Sequence, residues 1–172
     1  ANNNTAVGYQ SLKVVTTGDS NVAIGERSGD GLLTGGGNVA IGSQALGSST
    51  DVDNAICIGK DAGGSNMTSA ADGTVLIGKD AGVALTSGAG NVAVGLQSGQ
   101  ATTTGAHNVF VGDNAAYTNV DGIRNVAIGH QAFKLNSSGN YNTAVGRSAL
   151  YTNSSSNSNT AIGYESLYLS TG

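Results

Sequence analysis

The feature that most constrains this chain is a glycine that returns, always behind Val or Ile, at Gly8, Gly25, Gly42, Gly59, Gly78, Gly95, Gly112, Gly129, Gly146 and Gly163. Successive spacings are 17 residues, with one exception of 19 between Gly59 and Gly78. Self-similarity at a fixed short period is the signature of an array in which each unit buries its apolar surface against its neighbours. The flanking positions repeat as well. Two residues ahead of the glycine stands Ala6, Ala23, Ala40, Ala93, Ala127, Ala144 or Ala161, replaced elsewhere by Cys57, Leu76 and Phe110. Three ahead there is Val or Ile, or else Thr5, Thr143 or Thr160. Four ahead, asparagine recurs at Asn4, Asn21, Asn38, Asn91, Asn108, Asn125, Asn142 and Asn159. Three residues after the glycine only Ser or Ala occurs, and one further on Leu12, Leu46, Phe133, Leu150 and Leu167 alternate with Gly or Ala.

An N-V-A-I-G stretch is short, β-branched and bounded by turn formers, which reads as a strand ending in a turn. Recurrent glycine and the absence of a 3.6-residue period argue against helix. The expected fold is therefore all-β: a parallel β-solenoid, or β-roll, of ten 17-residue coils filling residues 1–172 as one repeat domain. Ten coils at ~4.8 Å per step make a rod of roughly 48 Å. The two extra residues fall around Gly64–Asp72, between two copies of I-G-K-D-A-G, and belong in a loop. The turn glycines are expected at positive φ, and the asparagines as a stacked amide ladder.

Alternation along a strand places the two Val/Ile positions on one side and the Ala position on the other. On bulk alone, the Val/Ile columns and the Leu positions are expected inside. The Ala column, from Ala6 to Ala161, is then expected as a flat outer face between chains. On this reading, Glu in place of Ala23, Ala40 and Ala127 spares the coil and abolishes association. Neither end carries an atypical polar repeat of the kind that closes a solenoid. The chain is therefore expected to be a segment of a longer fibre, or a rod that stacks end to end.

Composition narrows the function. Charged residues are 10%, the net charge is −4 and no basic stripe exists, so nucleic-acid binding is not expected. No apolar run of membrane-spanning length occurs, so this segment is not expected to insert into a bilayer. Cys57 is the only cysteine and excludes an intrachain disulfide.

Candidate chemistry is sparse. His107 and His130 occupy different repeat positions and read as surface residues rather than as a metal or catalytic pair. Cys57 lies in the Ala column and reads as a small buried thiol. Asp51 and Asp53 share a loop but lack the spacing of calcium-binding β-rolls, and G-K-D-A-G lacks the frame of a phosphate loop. Thr102, Thr103 and Thr104 form one local cluster, not a column, which argues against an ice-binding face. Tyr117, Tyr151 and Tyr168 share one repeat position, and Tyr9 and Tyr164 another. Such residues stack on sugars or pack over the coil edge, and packing is the expectation. Asn3, Asn66, Asn136 and Asn153 match N-x-[ST], which arises freely in this composition. No catalytic residue, metal site or cofactor is expected. A solenoid carbohydrate-active enzyme needs converging carboxylates, for which eleven scattered acids leave little room.

The unit N-[VT]-A-[VI]-G-x-x-[SA]-[LG] resembles the head repeat of YadA-like trimeric adhesins. Asn4–Leu12 and Asn159–Leu167 also resemble repeats in bacteriophage tail fibres. The resemblance covers the whole chain and departs in period, since the adhesin unit is shorter. It implies a left-handed parallel β-roll with three chains around one axis. It also implies an extracellular role, on a virion fibre or a bacterial surface. The function expected is a structural and adhesive segment that supports attachment to a cell-surface glycan or protein receptor. A self-assembling filament or surface-layer subunit is the alternative.

Overall fold

In the computed structural model, which describes residues 1–170, each repeat contributes one three-residue strand. The strands are β1 (Thr5–Val7), β2 (Val22–Ile24), β3 (Val39–Ile41), β4 (Ile56–Ile58), β5 (Val75–Ile77), β6 (Val92–Val94), β7 (Val109–Val111), β8 (Val126–Ile128), β9 (Thr143–Val145) and β10 (Thr160–Ile162). They form one ten-stranded parallel sheet in chain order. The register is that of the repeat: Ala23 lies opposite Ala40, and Ile24 opposite Ile41. The chain is a β-solenoid, and equivalent residues stack lap upon lap.

Strands make up only part of each lap, yet the rest is also bonded to the lap beside it. The N–H of Leu33 donates to the Thr50 carbonyl at 2.9 Å, and that of Phe133 to Ala149 at 2.8 Å. Main-chain groups turned away from water must find partners, and here the neighbouring lap supplies them around the circumference. The 19-residue interval is absorbed as a loop with a short 3-10 turn at Ser69–Ala71. Ile56 still pairs with Val75 across it.

The assignment of faces is the reverse of the expectation. Within each strand it is the middle residue that points inward: Ala23, Cys57, Ala127 and Ala144 are all fully buried. The Val/Ile positions on either side face outward, Ile24 and Ile128 each 39% exposed. Ala23, Ala40, Ala93, Ala127, Ala144 and Ala161 are thus core residues and cannot be a face between chains, and Ala6 is exposed only in the first lap. The physical reason is width. A lap this short encloses a thin interior, and a small side chain is what fits where the strand faces the opposite wall.

Bulk reaches the core from the turns instead, about one large side chain per lap. Leu46, Phe133 and Leu150 are fully buried, and the residue three positions after each is small or polar: Ser49, Asn136 and Asn153. Where glycine takes the earlier position, at Gly29 and Gly82, Leu32 and Leu85 fill the later one. Leu76 and Phe110 are the large residues placed mid-strand, and each lies over glycine: a hypothetical Cβ would sit 2.6 Å from the Leu76 side chain at Gly82 and 2.9 Å from the Phe110 ring at Gly99. Volume is traded between positions so that the interior stays filled, as close-packed cores require.

Candidate functional site

The turn glycine is required by its neighbours as well as by its own torsion. Gly42 has φ of +129°, and a Cβ there would lie 2.7 Å from the carbonyl carbon of Gly59 in the next lap. Stacked turns leave no space for a side chain. Non-glycine residues also adopt left-handed φ on either side of the strand, as at Gln44 (60°), Leu46 (52°) and Asn54 (56°). These bends fold a short lap closed.

The asparagine column is an internal amide ladder. The backbone N–H of Asn125 donates to Oδ1 of Asn108 at 2.8 Å, and that of Asn142 to Oδ1 of Asn125 at 2.9 Å. Nδ2 of Asn125 donates to the Gly139 carbonyl at 2.7 Å. Each buried side chain thus accepts from the next lap and donates to a bend, leaving main-chain groups satisfied where no strand reaches. The column breaks at Ala55 and Thr74. There the Ala55 N–H still takes Oδ1 of Asn38 at 2.8 Å, while the Thr74 hydroxyl donates to the Ala71 carbonyl at 2.6 Å. A second internal amide stack runs where the sequence suggested only chance motifs: Nδ2 of Asn136 donates to Oδ1 of Asn119 at 2.7 Å. Asn136 and Asn153 are fully buried, so neither offers its amide to a glycosylating enzyme in the folded chain.

The main candidate surface is the outer face of the sheet. Two columns of β-branched residues run side by side through all ten strands, Val or Ile throughout except Thr5, Thr143 and Thr160. They are half-buried by their own column neighbours and otherwise open, a contiguous apolar strip along the rod. Strips of this kind mark contact surfaces. Polar residues flank it: those just after the turn glycines on one side, and those just ahead of the asparagine column on the other.

The isolated chemical groups do not converge. His107 precedes β7 and His130 follows β8, so they sit on opposite flanks of the strip; Nε2 of His130 lies 3.9 Å from Oδ2 of Asp113. Among the described residues no group of three or more His, Cys, Asp or Glu is placed to hold a metal ion. Cys57 is fully buried, and burial pushes its thiol up to about 12, so it carries no nucleophilic thiolate near neutral pH. Asp51 and Asp53 turn to the main chain: Asp51 Oδ1 accepts from the Ser69 N–H at 3.2 Å, and Asp53 Oδ1 from Gly36 at 2.6 Å.

The tyrosine column is closed on itself. The rings of Tyr151 and Tyr168 stack at 4.9 Å, and Nζ of Lys134 lies 5.9 and 5.8 Å from the ring centroids of Tyr117 and Tyr151. Ring faces that a sugar would use are taken by neighbours in the same column, so the packing expectation stands and the glycan-stacking one has no free platform between these laps.

One column escaped the sequence reading. Thr103 is not part of a local cluster only; Thr16, Thr86, Thr103 and Ser137 stand in equivalent places, each hydroxyl donating to a carbonyl of the next lap at 3.0 to 3.2 Å. The signal was present eight residues after the glycines, interrupted by Leu33 and Val120 and shifted by the two-residue insertion. These hydroxyls spend their protons on the main chain, which makes the column structural rather than a surface for ordering water. Thr102, by contrast, is buried beside a cavity of about 10 Å³ lined by Leu76, Leu85, Ala93 and Phe110, and its hydroxyl has no partner. Compared with family models, curated proteins and solved structures, the chain finds no match.

Proposed function

We propose that this chain is a rigid structural segment of an extracellular trimeric fibre, on a virion or a bacterial surface, that supports attachment of the particle or cell to a host surface. One observation carries the reading: an outer strip of β-branched residues runs through all ten strands of a rod whose chemically versatile side chains are dispersed or spent on its own main chain. A strip of this length needs cover, and copies of the same chain supply it by presenting the same strip around a common axis, three at a time and with left-handed coils, as the repeat's resemblance implies. Three chains then present each outer loop in triplicate, so that weak contacts with a glycan or protein receptor add as avidity.

The test is the mass in solution. Sedimentation or light scattering is expected to give three chains per particle, and a clean monomer overturns the reading. Asp in place of Ile24, Ile41 and Ile128 is expected to leave the far-UV spectrum of the coil intact and to release monomers.

A further inference from the structure

The two flanks of the apolar strip differ in charge, and the difference is local. Behind the turn glycines of β4 and β5, one flank carries Lys60 and Lys79; ahead of the same strands, the other carries Asp53 and Asp72. In-register stacking places each pair on adjacent laps. The lysine side chains are 61% and 58% exposed and make only long contacts, 3.9 and 3.7 Å, with Asp61 and Asp80. Each opposing carboxylate uses Oδ1 within the chain, Asp53 for the Gly36 N–H and Asp72 for the Asp53 N–H. The second oxygen has no hydrogen-bond partner among the described residues.

Resting on the proposed self-association, we propose that the lysine flank of one copy meets the aspartate flank of the next at the same height, locking the copies parallel and in register. A closed ring of identical chains joins one edge of each to the other edge of its neighbour, so opposite charges at the same height on the two edges attract across each joint. In the same two columns the neighbouring laps carry no opposing charges: Leu96 faces Ala89 at β6, Asp113 faces Ala106 at β7 and His130 faces Ile123 at β8. Glu26 with Asp19 at β2 opposes. Sliding one copy by a lap leaves at most one of the two Lys–Asp matches, with Ala89 or Gly36 facing the other lysine.

The experiment is zero-length carbodiimide cross-linking of the assembled protein, followed by peptide mapping of the dimer-sized band. Lys60 or Lys79 joined to Asp53 or Asp72 is the expected product. Alongside it, K60Q/K79Q and D53N/D72N are each expected to raise the dissociation concentration roughly 3- to 10-fold at low salt. The fourfold variant should be no worse than either pair alone, since both remove the same contact. The Asn variants keep the Oδ1 acceptor, as Asn140 and Asn157 do for Ile123 and Asn140 in the equivalent column. A monomeric parent protein defeats the fibre reading together with this one. An oligomer whose cross-links map elsewhere, or whose paired variants add, overturns the charge register alone.

Discussion

The laps from β6 to β10 and the laps around β4 and β5 solve the same problem with different parts. In the first group an unbroken file of asparagines, from Asn91 to Asn159, bonds lap to lap beneath the sheet. In the second the file is missing at Ala55 and Thr74, two residues are inserted, and a 3-10 turn with buried Met67 and Ala71 takes up the slack. Strand register is the same in both. Register is therefore held by the main chain and the turn glycines, while the amides satisfy polar groups that the short strands leave over.

That contrast is best broken from the inside. Ala127→Glu places an unpaired carboxylate in the regular core and is expected to cost about 4 kcal/mol or more, read as loss of the cooperative thermal transition. If the coil keeps its melting temperature, the inward assignment of the Ala column is wrong. Next in size, Asn125→Ala strands the Asn142 N–H and leaves the Gly139 carbonyl only a 3.5 Å contact with Nδ2 of Asn136, and is expected to cost about 2–4 kcal/mol. Thr74→Val, in the interrupted region, removes a single bond to Ala71 and is expected to cost about 1 kcal/mol. Equal losses in urea melts would show that the ladder has no special weight where it is continuous.

Alkaline titration probes the interrupted region through Cys57. Its thiol is raised from 9.0 to about 12 by burial, so between these values the unfolded chain has lost a proton that the folded chain keeps. Stability is then fully present below about pH 9 and falls by about 1.4 kcal/mol per pH unit above it. Cys57→Ala should remove that component of the slope, and an unchanged slope would place the thiol in water. The smallest effect expected is a gain: Thr102→Val removes an unpartnered buried hydroxyl beside the cavity and should stabilise by about 1 kcal/mol, seen as a rise in melting temperature.

The period, the strand positions, the loop location of the insertion, the positive φ of the turn glycines and the amide ladder were all legible in the sequence, because each repeats at fixed spacing and has one physical explanation. Which side of the strand faces inward was not. Alternation separates Ala23 from Val22 and Ile24 but does not say which set is enclosed, and bulk is a poor guide when a lap is too narrow for two large side chains. The trade between Leu46 and Ser49 on one lap and Gly29 and Leu32 on another carried the answer, since a compensating volume on the turn side implies a small partner on the strand side. The hydroxyl column was hidden by its interruptions. The second amide stack was hidden because Asn119 and Asn136 look, one at a time, like ordinary loop residues.

Bonds that run only between adjacent laps also make this chain editable. Removing residues 109–125 joins Asn108 directly to Val126 and recreates N-V-A-I-G across the seam. The product is one rung shorter, by ~4.8 Å, and every surviving rung has a neighbour of the kind it had before. Gain or loss of whole repeats would therefore lengthen or shorten the rod in whole steps, so that reach is adjustable without a new fold.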